Sequence, residues 1–204
     1  MGGIMKKIGK EIMSWIIPIA VGLIIAMLLK TFVVTMVRVD GPSMQPNLVN
    51  NEHVAVVKVI DIKRYSTVVF DAYGVDPDAT DGQEYVKRVI GMPGDTVAFK
   101  NDHVYVNDKE ISEPYISTYQ KTTGTRVQGI NAKDWSFKSL AMDNQWTKDS
   151  SVTKVPAGKY FVLGDHRSVS NDSRYWGFVD KSKIQGVVKV PFWNFNKSEH
   201  KYIY

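Results

Sequence analysis

Residues 12–29 read IMSWIIPIAVGLIIAMLL, eighteen positions without a charge, and this run constrains the chain more than any other feature. An α-helix of about that length is the shortest that crosses the hydrocarbon of a bilayer. The following residues 31–37 lengthen it if Lys30 reaches back to the headgroups. Lys6, Lys7 and Lys10 precede the run against a single Glu11, which favours an N-terminus kept inside and a remainder that is exported. Pro18 and Gly22 are tolerated in membrane helices. A cleaved signal peptide would have a shorter apolar stretch and end in an Ala-x-Ala-like site, and AMLLKTFVV offers none. A buried core helix would carry a polar stripe at helical period, and none is visible. The expected partition is residues 1–11 cytoplasmic, 12–34 a transmembrane anchor, and 35–204 an extracytoplasmic domain.

That domain is long enough for one real core. With no cysteine among the 204 residues, disulfides, thiolate–zinc sites and cysteine nucleophiles are excluded. The net charge of +5 suits anionic headgroups as well as nucleic acid. No dense basic stripe, zinc-finger spacing or basic zipper is present, so nucleic acid is not an expected partner. The runs HVAVVKVI, STVVF, EYVKRVIG, DTVAF, HVYVN, KYFVLGD and GVVKVPFW are rich in Val, Tyr and Phe and punctuated by Gly, Pro, Asn and Asp. They predict a mostly β domain with tight turns, including a hairpin that turns at Asn107 and Asp108. Residues 117–152 are more polar and less strand-like, and read as an insertion.

Just past the apolar run lies VDGPSMQPNL, with Ser43 held between Pro42 and Pro46. Both prolines fix the backbone and remove N–H groups from any ladder, so Ser43 sits on a rigid segment that is not a strand. A serine nucleophile needs a base, and the base needs an orienting group. Of the four histidines, His166 has an aspartate at hand, Asp165, but sequence neighbours on a strand point to opposite faces. His166 reads instead as a polar turn residue. Lys87, in EYVKRVIGMPGD, has apolar neighbours Val86, Val89 and Ile90. Lowering a lysine pKa from about 10.4 to about 8 costs on the order of 3 kcal/mol, which burial can supply. By position alone Lys87 reads as one of many lysines on a half-exposed strand. The loop GDHRSVSNDSRYWGFV packs Asp, Arg and Ser beside aromatics and reads as a partly buried network.

Two local patterns mislead. Ser151 and Lys154 fit S-x-x-K, but no K-T-G follows them. Residues 76–82, DPDATDG, are like a calcium loop, yet the glycine falls one place late and Lys87 occupies the final ligand position. No H-E-x-x-H occurs.

Taken in order behind one anchor, GPSMQPNL, YVKRVIGMPGD and GDHRSVSNDSRYWGFV resemble the type I signal peptidases, membrane-anchored Ser/Lys proteases that remove signal peptides from exported proteins. The resemblance covers residues 35–190 apart from 117–152. It implies a signal-peptidase-like coiled antiparallel β-sheet domain behind one transmembrane helix. It implies Ser43 as nucleophile, Lys87 as general base and Arg88 as the arginine that follows it. Ser170 would hydrogen-bond the lysine ammonium, Asp172 and Arg174 would form a supporting ion pair, and Met44 would line the pocket beside the nucleophile. Gly41 stands where some members have a serine that helps form the oxyanion hole, so a second donor would be a backbone N–H or water. His166 stands where Asn is usual, and Asn47 where Thr is common. The implied partners are signal peptides and the lipid bilayer, with no metal and no cofactor. A self-cleaving repressor-type Ser/Lys protease and a non-catalytic anchored β-rich binding module are the alternatives.

Overall fold

The computed structural model describes residues 2–127, 134–144, 146–191 and 198–203. The chain divides into two compact units, Met1–Thr35 and Met36–Tyr204. The first is the helix α1, Gly2–Phe32, with Pro18 inside it and Lys30 in its last turn. Its segment Met13–Phe32 has a mean hydropathy of 2.2, is long and apolar enough to cross a membrane, and has none of its residues buried. The stretch after it, expected to continue the apolar segment, is instead the strand β1, Val34–Arg38. Its valines and threonine are β-branched, which favours an extended backbone over a helical one.

The regular structure of the rest is mainly antiparallel sheet, linked by turns and loops. β2 (His53–Val57), β3 (Thr67–Asp71), β4 (Glu84–Gly91), β9 (Lys159–Leu163), β10 (Val179–Asp180) and β11 (Ile184–Lys189) join β1 in one sheet, ordered β1–β2–β11–β3–β4–β9–β10. β5 (Val97–Lys100), β6 (His103–Val106), β7 (Lys109–Glu110) and β8 (Trp135–Ser136) form a second, ordered β7–β6–β5–β8. Short helices α2 (Thr118–Lys121), α3 (Phe137–Asp143) and α4 (Ser173–Trp176) lie between strands. The predicted hairpin is present: Asn107 and Asp108 take φ of 51° and 60°, the left-handed pair that a two-residue turn demands. Asn101 and Asp102 repeat the device between β5 and β6, with φ of 51° and 67°.

The stretch 117–152 is more than an insertion. β8 pairs with β5, and Trp135, Phe137, Leu140, Ala141 and Trp146 are buried with Phe99, Phe161 and Phe178 in one core. Phe137 meets Phe161 and Phe178 with ring centroids 5.0 Å apart in each case. A few large aromatics can anchor a segment whose average composition is polar. Residues 128–133 and 145 fall outside the described part of it.

Candidate functional site

β4 is the central positioning element. Alternation along it sends Lys87 and Arg88 to opposite faces of the sheet. Lys87 is paired directly with Val68 on β3 and shares its face with Tyr85 and Val89. Val68 and Val89 are fully buried, and Lys87 itself is only 4 % exposed. Burial lowers its pKa to about 8; Asp172, Asp76 and Asp165 oppose that shift, and Arg174 adds to it. Lys87 Nζ donates a hydrogen bond to Ser43 Oγ at 2.9 Å, so the strand lysine and the loop serine, 44 residues apart, are brought together. With the amine neutral, the hydroxyl can donate across the same contact.

Ser43 sits in the turn that follows β1. Gln45 N–H donates to Pro42 O and Leu48 N–H to Met44 O, which closes the turn on itself. Gly41 has a φ of +85°, a conformation that L side chains rarely adopt, and its N–H is taken by Asn50 Oδ1 at 3.0 Å. That N–H is therefore already engaged and is not an open oxyanion donor. Ser43 N–H has no partner among the described residues. Met44 does not line the cleft as expected. It is 1 % exposed and packs with Val39, Leu48, Val54 and Ile203 in a core under the turn. An apolar side chain next to the serine holds the turn down by burial. The cleft, of about 230 Å³, is lined instead by Ser43, Lys87, Val69, Tyr85, Val86 and Asn171 among others.

On the opposite face of β4, Arg88 is fully buried and grips Asp165 through Nε–Oδ1 at 2.8 Å and Nη2–Oδ2 at 2.6 Å. Asn47 Nδ2 donates to the same Oδ2 at 2.8 Å and to Tyr115 O at 2.7 Å. The serine's turn is thus tied through Asn47 and Asp165 to the residue beside Lys87. Arg88 also donates to Tyr65 O and, at 2.8 Å, to Tyr202 O near the C-terminus. In the same terminal segment His200 Nε2 lies 2.6 Å from Glu52 Oε1. The sequence reading missed Asp165 as the partner of Arg88, because no local pattern links residues 77 apart. It also missed Arg167, which is buried against Glu113, Thr125 Oγ1 and Gly164 O.

Asp172 and Arg174 form the expected pair, with Nε–Oδ1 at 2.8 Å and Nη2–Oδ2 at 2.9 Å, both side chains fully buried. The segment that carries them is not extended. Asp172 caps α4 by accepting from Arg174 N–H, so the two-residue spacing closes across a helix start. Gly164 lies against this loop: a Cβ there would fall 2.2 Å from Ser170 Oγ and 2.6 Å from Ser43 O, which leaves room for hydrogen alone. His166 is a turn residue, as read; its N–H donates to Ser43 O at 3.0 Å, and its own carbonyl accepts from Val169 and Ser170.

Ser170 departs from expectation. It is 3 % exposed, and its hydroxyl is buried without a hydrogen-bond partner, so the anticipated bond to the Lys87 ammonium is not formed. Lys87 Nζ is directed to Ser43 instead. Ser170 is flanked by Val169 and Asn171, which both line the cleft. Ser170→Ala is expected to melt at or above the temperature of the unsubstituted protein, since a buried unsatisfied group is removed, while kcat falls about tenfold. Thermal melting alongside peptide cleavage kinetics checks both halves.

A buried lysine hydrogen-bonded to a turn serine is an arrangement able to activate the hydroxyl as a nucleophile. The family model described as signal peptidase, peptidase S26, matches residues 12–193. Signal peptidase IB of Staphylococcus aureus strain COL is 39 % identical over 198 residues, 95 % of this chain and 95 % of that protein. Signal peptidase I S of Bacillus subtilis strain 168 is 38 % identical over 193 residues, 92 % of each. The crystal structure of a signal peptidase I from Enterococcus faecalis V583 is 31 % identical, covers 64 % of this chain and 99 % of its own, and superposes with a TM-score of 0.49. On the sequence matches alone, the chain belongs to the signal peptidase family, peptidase S26.

Proposed function

We propose that this chain is a membrane-bound serine endopeptidase that removes N-terminal signal peptides from exported preproteins, with Ser43 as nucleophile and Lys87 as general base. The 2.9 Å contact between Lys87 Nζ and Ser43 Oγ carries the reading, together with the burial that brings the amine to about 8. Neutral Lys87 takes the Ser43 proton as Oγ attacks the scissile carbonyl. The ammonium then gives that proton to the leaving amine, and the signal peptide remains as an ester on Ser43. A water deprotonated by Lys87 hydrolyses the ester and restores both groups. The unengaged Ser43 N–H supports a first oxyanion donor. Small residues one and three positions before the cut are the expected preference, and neither metal nor cofactor takes part.

The helix Met13–Phe32 supports a single-pass anchor in the cell membrane, with a cytoplasmic N-terminus and an extracytoplasmic catalytic unit. The bilayer and the signal peptide are the partners in this reading, and nucleic acid is not. The direct test incubates the purified full chain with an exported preprotein that carries an Ala-x-Ala site. Mature product from the unsubstituted chain, and none from Ser43→Ala, is the expected result; intact preprotein in both would end the proposal.

Because Met36–Tyr204 is compact by itself, a chain lacking residues 1–35 is expected to fold and to cleave soluble peptides. On membrane-inserted preproteins its kcat/KM should fall by about 10²-fold or more, since the anchor raises effective concentration on a shared surface. Equal efficiency of the two forms on vesicles would exclude a role for the anchor in substrate encounter.

A further inference from the structure

Four charged side chains act electrostatically on Lys87, namely Asp172, Arg174, Asp76 and Asp165, and the Tyr85 ring centroid lies 5.1 Å from Nζ. Two of the three carboxylates are matched. Asp165 is held by both ends of the Arg88 fork, and Asp172 by that of Arg174. Asp76 is different. It is 2 % exposed and makes no ion pair among the described residues. Its Oδ2 accepts from Tyr85 Oη at 2.8 Å and from Asn171 Nδ2 at 2.7 Å, and its Oδ1 from Asp78 N–H at 3.0 Å. Tyr85 lies two residues before Lys87 on the same face of β4, and Asn171 lies beside Ser170. Both line the cleft with Ser43 and Lys87.

We propose that Asp76 is a positioning residue for the cleft: its carboxylate ties Tyr85 to Asn171, and it is the one buried negative charge near Lys87 that no arginine matches. The proposal rests on the assignment of Lys87 as general base. A carboxylate taken out of water is held by hydrogen bonds or by a cation. Here three neutral donors hold it, and its charge is left to act on whatever cation forms nearby. When the Ser43 proton moves to Nζ, an ammonium appears in an apolar pocket, and an unmatched carboxylate stabilises that ion as it forms. Asp76 thereby also resists the lowering of the Lys87 pKa, a direction consistent with its placement. The calcium-like residues 76–82 gain a role as well. The loop's first aspartate faces inward, to a tyrosine and an asparagine.

The test uses the full chain in detergent, a soluble peptide substrate and the pH dependence of kcat/KM. Asp76→Asn removes the charge; its oxygen can keep both Oδ2 bonds, to Tyr85 and Asn171, while the amide nitrogen forfeits the bond from Asp78 N–H. Its acidic limb is expected to move down by about half a unit to one unit, with a plateau kcat several-fold lower. The double variant Tyr85→Phe/Asn171→Leu cuts both ties and keeps the charge, so its plateau should fall while its limb does not move down. A folded Asp76→Asn protein with an unmoved limb and full plateau overturns the proposal. If Asp76→Asn does not fold, an unchanged plateau in the double variant overturns it equally. Lys87→Ala, run beside them, separates the two claims: an active Lys87→Ala chain refutes the base assignment, whereas an inactive one with an indifferent Asp76 refutes only the inference drawn here.

Discussion

Replacing Lys87 by methionine is expected to give a protein that melts higher at pH 7 and cleaves nothing. The loss of turnover follows from the absence of any base at Ser43 Oγ, and single deletions from a coupled nucleophile and base cost about 10⁴-fold or more. Ser43→Ala should be equally inactive. The gain in stability comes from the same burial that makes the lysine useful. Its folded pKa is about 8 against an ordinary value of 10.5, so between those values the unfolded chain binds the proton that the folded one does not. Stability therefore rises with pH across that window. Below about pH 8 the penalty is fully present, at roughly 3 kcal/mol from 1.36 kcal/mol per unit, and above about 10.5 it is gone. Methionine fills a similar volume without a charge. Melting curves at pH 7 should show a rise on the order of 5–10 °C that shrinks as the pH approaches 10. A lower melting temperature for Lys87→Met would mean that the amine is not desolvated. The acidic limb of the unsubstituted enzyme near pH 8 is the kinetic face of the same number.

The largest loss of stability is expected from the loop over the cleft. Asp172→Ala leaves the Arg174 guanidinium buried with carbonyls as its hydrogen-bond partners, those of Gly124, Arg167 and Ser170 at 3.0, 2.6 and 3.4 Å. Arg174→Ala leaves a buried carboxylate with main-chain donors alone, Gly164 N–H on Oδ2 at 3.0 Å and the N–H of residue 174 on Oδ1 at 3.2 Å. Either change should cost about 3–5 kcal/mol, roughly 10 °C or more for a domain of this size. Removing both partners abolishes the uncompensated charge, so the double variant should lose clearly less than the sum of the singles. Activity should fall with stability in these variants, in contrast to Ser170→Ala, where only kcat changes. Melting temperatures for the Asp172 and Arg174 variants close to that of the unsubstituted chain would show the loop to be solvated.

Alternation and turn chemistry made much of this architecture readable in advance. EYVKRVIG is β4 residue for residue, and the Asn107–Asp108 turn falls where its left-handed φ values require. Both features are local, decided within a few residues. What sequence did not reveal is long-range pairing. Nothing near Asp165 announces that it belongs to Arg88 and Asn47, since their identity as partners exists only once β9 lies beside β4. Met44 was expected to line the pocket on the family resemblance alone, but the turn directs it into the core. Residues 117–152 read as an insertion because their polar majority conceals the apolar anchors, Val127 to Trp146, that close a core. Asp76 entered the sequence reading only as the first residue of a rejected calcium loop, and nothing local shows that its carboxylate is inside.

The bond from Arg88 to the Tyr202 carbonyl has a consequence in time. Ser43 and Lys87 are made early, and a chain delivered N-terminus first has both in place while more than a hundred residues are still to come. Through that interval Arg88 lacks the carbonyl of residue 202, Glu52 lacks His200, and the core beneath the serine's turn lacks Ile203. Each of these contacts joins segments more than a hundred residues apart, so the surroundings of the dyad stiffen only once residues 200–203 have docked.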